Sequence, residues 1–412
     1  MWAITRRVTP FKWLACKLLG PLWRNVCLSN LGGLRLEQTA VPSLPDQDWV
    51  LCRTRLGGIC GTDLGIVFLQ QHPTTLVQRF MSWPMVLGHE NVAQVERPGS
   101  NVASVRPGDR VVVDPPLGCL ARKITPLCRP CESGRPSICE NLDRGALPPG
   151  LGLGYNNFTG GSWSEYFVAH TSQLHKVPDA VGDTEAIFVD PLACGLHAIL
   201  EDVPGPDERI LVFGAGMIAL SILALIKTLQ LGRDVTATAK YPFQAETMRR
   251  LGADQVVFWQ HDRLKSMRQL AELAGGRILS TSFGLHFSQG GFDRIYDCSG
   301  VPARFADASR LARAGGTLIL VGTPQIAMTD LASIWFHELK VMGVTGRAYH
   351  VMPGQDGPKH NYQHVLDLLT QARLDVGAFK LSCYRQRDYR KALLDLRHRG
   401  KTRTVKSAFD FR

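Results

Sequence analysis

From Arg209 onward, six short apolar or β-branched runs alternate with stretches of helical length: Ile210 to Phe213, Val235 to Ala239, Gln255 to Phe258, Arg294 to Cys298, Thr317 to Val321 and Lys340 to Val344. Strands joined through helices come back parallel to one another, so this alternation predicts a doubly wound parallel sheet of the Rossmann kind. The first strand runs into Val212-Phe213-Gly214-Ala215-Gly216, and the pattern Gly214-x-Gly216-x-x-Ala219 opens a helix expected over Met217 to Leu231, with Gly232 as its C-terminal cap. The two glycines permit the tight turn and the close approach of a dinucleotide pyrophosphate. Ala219, standing where a third glycine is common, still lets helix and sheet pack closely.

A chain of 412 residues exceeds one hydrophobic core, so a second unit is expected. Leu34 to about Ala180 reads as short β segments broken by Pro and Gly, among them Val50 to Arg55, Asn91 to Glu96 and Arg110 to Val113. After Gly346 come a loop, amphipathic helices near Tyr362 to Ala372 and Asp388 to Arg397, and a last strand, Thr404 to Phe411. The expected division is 1–185 for a catalytic unit, 186–345 for the nucleotide-binding unit, and 346–412 as a return to the catalytic unit.

The mostly β unit holds the reactive side chains. Cys60, in Gly58-Ile59-Cys60-Gly61-Thr62-Asp63, is followed by His89 and Glu90 in Gly88-His89-Glu90. A thiolate, an imidazole and a carboxylate suit a zinc ion that keeps one position open. Thr62 lies where its hydroxyl could bond an alcohol oxygen and begin a proton path, and Asp63 where its carboxylate could orient His89. Of 11 cysteines, Cys119, Cys128, Cys131 and Cys139 fall in one short stretch. In a large enzyme with a nucleotide fold, such clustering argues for a metal rather than disulfides, and for a reducing cytosol.

These motifs, with Pro107-Gly108-Asp109-Arg110-Val111, Gly160-Gly161-Ser162-Trp163-Ser164-Glu165-Tyr166 and Asp190-Pro191-Leu192-Ala193 in the same order, resemble the zinc-dependent medium-chain alcohol dehydrogenase superfamily, particularly its polyol and threonine dehydrogenase-like branches. The resemblance runs from about Leu34 to the C-terminus. It implies an α/β fold in which the Rossmann sheet is inserted into a GroES-like catalytic domain, and hydride transfer between an alcohol and NAD(P). It gives Asp190 the role of third ligand beside Cys60 and His89, with Glu90 as an exchangeable fourth. Cys128, Cys131 and Cys139 match three positions of the family's structural-zinc lobe; the usual first cysteine falls at Thr125, and Cys119 is expected to replace it. Where relatives carry the histidine that ends the proton relay, this chain has Gly65. A homodimer or homotetramer is implied as well.

Nucleotide choice turns on the end of the second strand, where Ala239 occupies the place of the acidic residue that selects NAD and Lys240 follows it. This pair favours NADP. The net charge of +11 is concentrated toward the C-terminus, with Arg385, Arg387, Arg390, Lys391, Arg397, Arg399, Lys401, Arg403 and Lys406 close together. Interleaved with Leu393, Leu394 and Leu396, they read as the solvated side of a helix rather than a nucleic-acid surface. Met1 to Leu22 mixes aromatic and basic residues; the expectation is a strand and short helix packed on the catalytic domain without stable membrane attachment, a membrane-surface helix being the alternative. His197 reads as a hydrogen-bonded helix histidine. A non-catalytic NADPH-binding protein of the same fold would be expected to have lost metal ligands, and Cys60, His89 and Glu90 are all present.

Overall fold

The computed structural model describes residues 1–412 except 72–73, 260–261, 283, 324–325 and 327–328. Its central feature is a six-stranded parallel sheet of Arg209–Phe213, Asp234–Ala239, Gln255–Phe258, Phe292–Asp297, Ala312–Leu320 and Lys340–Gly343. Numbered along the chain, these strands lie in the spatial order 3-2-1-4-5-6. The order reverses beside Arg209–Phe213, and in an open parallel sheet a crevice forms at that point, beyond the carboxyl ends of the strands. Between the third and fourth strands lies an antiparallel hairpin, Arg277–Ser280 with His286–Gln289, which the apolar pattern does not announce.

The helix Met217–Thr228 is buried along most of its length, including Ala219, Leu220, Ile222, Leu223 and Leu225. Each large aliphatic side chain so buried stabilises by about 1.5–3 kcal/mol, so the apolar composition fixes this helix to the sheet. It ends earlier than Gly232 suggests, since Leu229 is its cap and Gln230 takes the left-handed conformation at φ 53°.

The second sheet has seven strands and is built from both ends of the chain. Trp49–Ile59 pairs with Asn91–Pro98, with Tyr166–His170 and with Lys406–Asp410. Arg110–Val113, Leu174–Lys176 and Leu381–Tyr384 extend it outward. The return of the C-terminus to this sheet sets Ser407 opposite Ile59, one residue from Cys60. The helix Val189–Leu200 packs on Met217–Thr228, where Gly195 brings its backbone close to Ser221 and Ile222.

The N-terminus forms a strand, Trp2–Arg6, paired with Leu34–Gln38 and Met85–Val86, and then the helix Pro10–Leu19. Arg6 is fully buried and donates to Gly32 O (2.6 Å), Cys27 O (2.9 Å) and Val67 O (2.9 Å). Among the described residues no helix is long and apolar enough to cross a membrane.

Candidate metal and dinucleotide site

Cys60 ends the strand Trp49–Ile59 and caps the helix Gly61–Val67. The Asp63 carboxylate closes that turn by accepting from the Cys60 N–H at 2.8 Å, and its other oxygen lies 3.3 Å from His89 Nδ1. Tyr155 Oη is 2.9 Å from the same nitrogen, so Nδ1 is engaged and Nε2 is the ring atom left for a metal. Gly88 positions the histidine. At φ +96°, a Cβ there would stand 2.3 Å from the Trp163 ring, so only glycine fits. The donor atoms of Cys60, His89 and Glu90 lie within 4.8 Å of one another, and thiolate, imidazole and carboxylate are the donors zinc takes. Thr62 Oγ1 is 3.8 Å from Cys60 Sγ.

Asp190 does not join that cluster. Its carboxylate is paired with Arg347 and accepts from Tyr362 Oη at 2.6 Å, both partners being buried with it. Arg347 also faces Asp114 at 3.7 Å, and Asp114 faces His360 at 3.3 Å. A buried carboxylate needs a counter-charge, and here a guanidinium contributed from beyond the parallel sheet supplies it. Lys406 departs from the solvated-face expectation in a similar way. It is 2% exposed, is paired with Glu90 and donates to Ile59 O at 3.3 Å. The period of the preceding helix stops before Lys406, which belongs to the strand Lys406–Asp410.

The four clustered cysteines meet as expected, Cys119 included. Sulfur separations are 3.5 Å (Cys119–Cys128), 3.6 Å (Cys119–Cys139) and 3.8 Å (Cys128–Cys139), and Cys131 lies within the same 4.8 Å. Disulfide sulfurs stand about 2.05 Å apart. Zinc–sulfur bonds of about 2.3 Å give a tetrahedron with edges near ~3.8 Å. Burial disfavours the Cys119 thiolate, but donors from Asn141 and the Cys128 backbone outweigh it and hold the thiol down to about 7. Arg122, fully buried, organises the lobe by donating to the carbonyls of Leu117, Arg144, Leu147, Pro148 and Gly150.

His197, Glu201 and His350 form a third close group. The Asn361 amide is oriented by Ala348 N–H, which donates to its Oδ1 at 2.7 Å, so its NH2 donates to His350 Nδ1. The His350 proton then sits on Nε2 and points at Glu201, 3.2 Å away, where Arg135 also arrives at 3.0 Å. Glu201 is satisfied by His350 and Arg135, and His350 presents no lone pair to the centre, so the group is not set to hold a metal. His197, expected to be hydrogen-bonded, instead stands 3.6 Å from Glu201 with its buried Nδ1 lacking a hydrogen-bond partner among the described residues. Burial, then His350, holds His197 down to about 3 and neutral.

The glycine turn lies in the crevice at the strand ends. Gly214 adopts φ +134°, with its missing side chain 3.2 Å from the Cys298 backbone, and its N–H donates to Thr238 Oγ1 at 2.9 Å. Gly216 caps the helix Met217–Thr228 and has nothing within 4 Å of where a Cβ would project, which leaves the N-terminal amides open to a phosphate. Ala239 is the last, buried residue of the second strand, and Lys240, exposed, follows directly. A cavity of about 310 Å³ over the crevice and another of about 390 Å³ over the metal cluster share Cys60, Thr62, Glu90, Ile218, Val321 and Thr323. Tyr155, Arg347, Tyr362 and Lys406 are site residues that sequence reasoning missed, because each meets its partner, His89, Asp190 or Glu90, across 66 to 316 residues of chain.

A thiol, imidazole and carboxylate cluster able to hold a metal, facing a Rossmann crevice, fits a class: dinucleotide-dependent oxidoreductases that act on an alcohol or carbonyl with metal assistance. The alcohol dehydrogenase GroES-like domain matches residues 46–179 and the zinc-binding dehydrogenase domain residues 216–371. L-threonine 3-dehydrogenase from Xanthomonas campestris is 32% identical over 317 residues, which is 76% of this chain and 82% of that one. Galactitol-1-phosphate dehydrogenase from Escherichia coli shares the fold with a TM-score of 0.73 at 22% identity over 100% of both chains. 2R,3R-butanediol dehydrogenase from Bacillus subtilis does so at 0.69 and 21% over 92% of this chain and 96% of that one. The chain belongs to the zinc-dependent medium-chain alcohol dehydrogenase family and is an alcohol oxidoreductase that uses a nicotinamide nucleotide.

Proposed function

We propose that the substrate is a polyol, a sugar alcohol or a hydroxy amino acid, oxidised at one hydroxyl, or the matching carbonyl compound, reduced there, and that NADP is preferred to NAD. The observation that carries the reading is that the cavity over Cys60, His89 and Glu90 and the cavity over Gly216 share walls, so an alcohol carbon and a nicotinamide ring would meet. Cys60, His89 and Glu90 would hold the catalytic zinc, and Cys119, Cys128, Cys131 and Cys139 a structural one. When bound, the catalytic ion polarises the alcohol oxygen and lowers its pKa.

The chain's own groups do the rest. Asp63 and Tyr155 fix the His89 ring, and Lys406, paired with the buried Glu90 carboxylate, opposes the rise in pKa that burial imposes on it. The Thr62 hydroxyl would accept the substrate proton at Oγ1 while releasing its own, and with no titrating side chain at Gly65 the released proton would pass to water or to another side chain. Leu76, Phe80, Met81, Leu142, Leu151 and Val344 wall the cavity and exclude bulk water from the reacting carbon. Asp190 orients Arg347 and Tyr362 beneath the cluster; a role as direct ligand would require it to exchange those partners.

The nucleotide preference rests on Ala239 and Lys240. No carboxylate at the strand end repels a 2′-phosphate, and the exposed Lys240 ammonium, near the Tyr241 ring, can approach it. A homodimer through the sheet edge is the assembly we favour. Among the described residues Lys340–Gly343 pairs on one side only, and Trp335 and Phe336 beside it are 80% and 71% exposed. The test of function is a panel of diols, sugar alcohols and hydroxy amino acids with NADP and with NAD, followed at the nicotinamide absorbance. Turnover of one class, faster with NADP, supports the reading; absence of turnover with every member refutes the substrate class.

A further inference from the structure

Beside the catalytic cleft lies a third cavity, of about 510 Å³, between the N-terminal helix and the segment that follows Cys60. Its walls are mostly apolar, with Val8, Pro10, Trp13, Ile66, Leu69 and Trp83 among them. The volume falls inside the ~300–1,000 Å³ span of small-molecule sites. It shares Gly65 with the crevice cavity, Met81 with the metal cavity, and Gln71 with both.

Two features make it an annex of the active site. The first is Gly65, on the helix that starts from the metal ligand Cys60. A Cβ at Gly65 would meet nothing within 4 Å, so the absent side chain leaves the partition between cleft and annex open. The second is Gln71, whose buried Oε1 has no hydrogen-bond partner among the described residues and which lines all three cavities. A buried acceptor left unpaired is costly, and a second hydroxyl on a substrate would satisfy it. The outer wall is held firmly: Arg6, at the end of the N-terminal strand, donates to Val67 O, and Lys17, on the N-terminal helix, to Leu69 O, each at 2.9 Å, so both elements are tied to the segment that follows Cys60.

We propose that this annex binds the apolar substituent of the substrate, so that the enzyme acts on a hydroxy compound with a polar, hydroxyl-bearing end at the metal and an alkyl or aryl tail beneath the N-terminal helix. The proposal rests on the alcohol dehydrogenase reading above and narrows its substrate class.

The test compares 1,2-propanediol with 1,2-octanediol, using the zinc-loaded protein of 412 residues and its Gly65→Leu and Trp13→Ala variants. Gly65 has ordinary helical backbone, so leucine is tolerated by the fold and its side chain enters the passage. The expected result is a higher kcat/KM for octanediol than for propanediol, with that ratio falling about tenfold in Gly65→Leu, the scale of a lost apolar subsite. Trp13→Ala, acting from the opposite wall, should shift the preference to longer tails. An unchanged ratio in both variants overturns the annex. Calorimetric binding of both diols to the nucleotide-free protein separates the two readings. Octanediol binding that Gly65→Leu abolishes, without turnover of any alcohol, refutes the catalytic reading and upholds the annex; turnover without chain-length preference does the reverse.

Discussion

At the scale of single residues, the site depends on partners that hold each ligand in one state. His89 is aimed by both Asp63 and Tyr155, and loss of such a partner typically costs 10–100-fold in metal affinity or activity. Tyr155→Phe should therefore lower kcat/KM by about tenfold while leaving the melting temperature nearly unchanged, because the ring still packs; equal activity would remove Tyr155 from the site. Glu90 and Lys406 form a fully buried ion pair, and removing one member strands the other. Lys406→Met is expected to cost about 3–5 kcal/mol in urea denaturation, with part recovered in Glu90→Gln/Lys406→Met. If the single variant unfolds like the parent protein, the pair is not stabilised as described. The nucleotide preference is also a residue-scale statement. Ala239→Asp should move the ratio of catalytic efficiencies toward NAD, and Lys240→Ala should do so less strongly; a ratio unmoved by Ala239→Asp would contradict it.

At the scale of elements, the cysteine lobe makes a separable prediction. Cys119→Ser should lose one zinc ion per chain and keep the other, because the two clusters use different segments; unchanged metal content would take Cys119 out of the lobe. This lobe also marks how far the sequence was readable. Spacing placed Cys128, Cys131 and Cys139 together, and Cys119 joined them because the loop before Cys128 folds back, held by Arg122. All six parallel strands were legible because each holds a short apolar or β-branched run, whereas the hairpin before the fourth carries no such signal. Local motifs also placed Cys60, His89, Glu90 and the glycine turn. What escaped was long-range pairing: Arg347 and Tyr362 with Asp190, and Lys406 with Glu90, are 157, 172 and 316 residues apart. No periodicity encodes such contacts. A lysine at the end of a basic stretch looks solvated until the strand that carries it is paired with Trp49–Ile59.

At the scale of the whole molecule, the two sheets divide the work: the parallel sheet presents the glycine turn, and the mixed sheet, closed by the C-terminal strand, presents Cys60, His89 and Glu90. Dinucleotide binding should accordingly survive Cys60→Ser and His89→Ala, both of which should abolish turnover. The sheet edge gives an assembly prediction as well: sedimentation should show a dimer that Phe336→Glu weakens, and a monomer at all concentrations would contradict it. The central claim is that the cluster of Cys60, His89 and Glu90 holds the zinc on which alcohol oxidation depends. Its most direct test is metal content measured alongside dehydrogenase rate as a chelator strips the enzyme and zinc is returned. The account predicts two ions per chain in the parent and one in Cys60→Ser, with the parent's rate falling and recovering in step with the ion that Cys60→Ser lacks. A full rate after that ion has gone would contradict it.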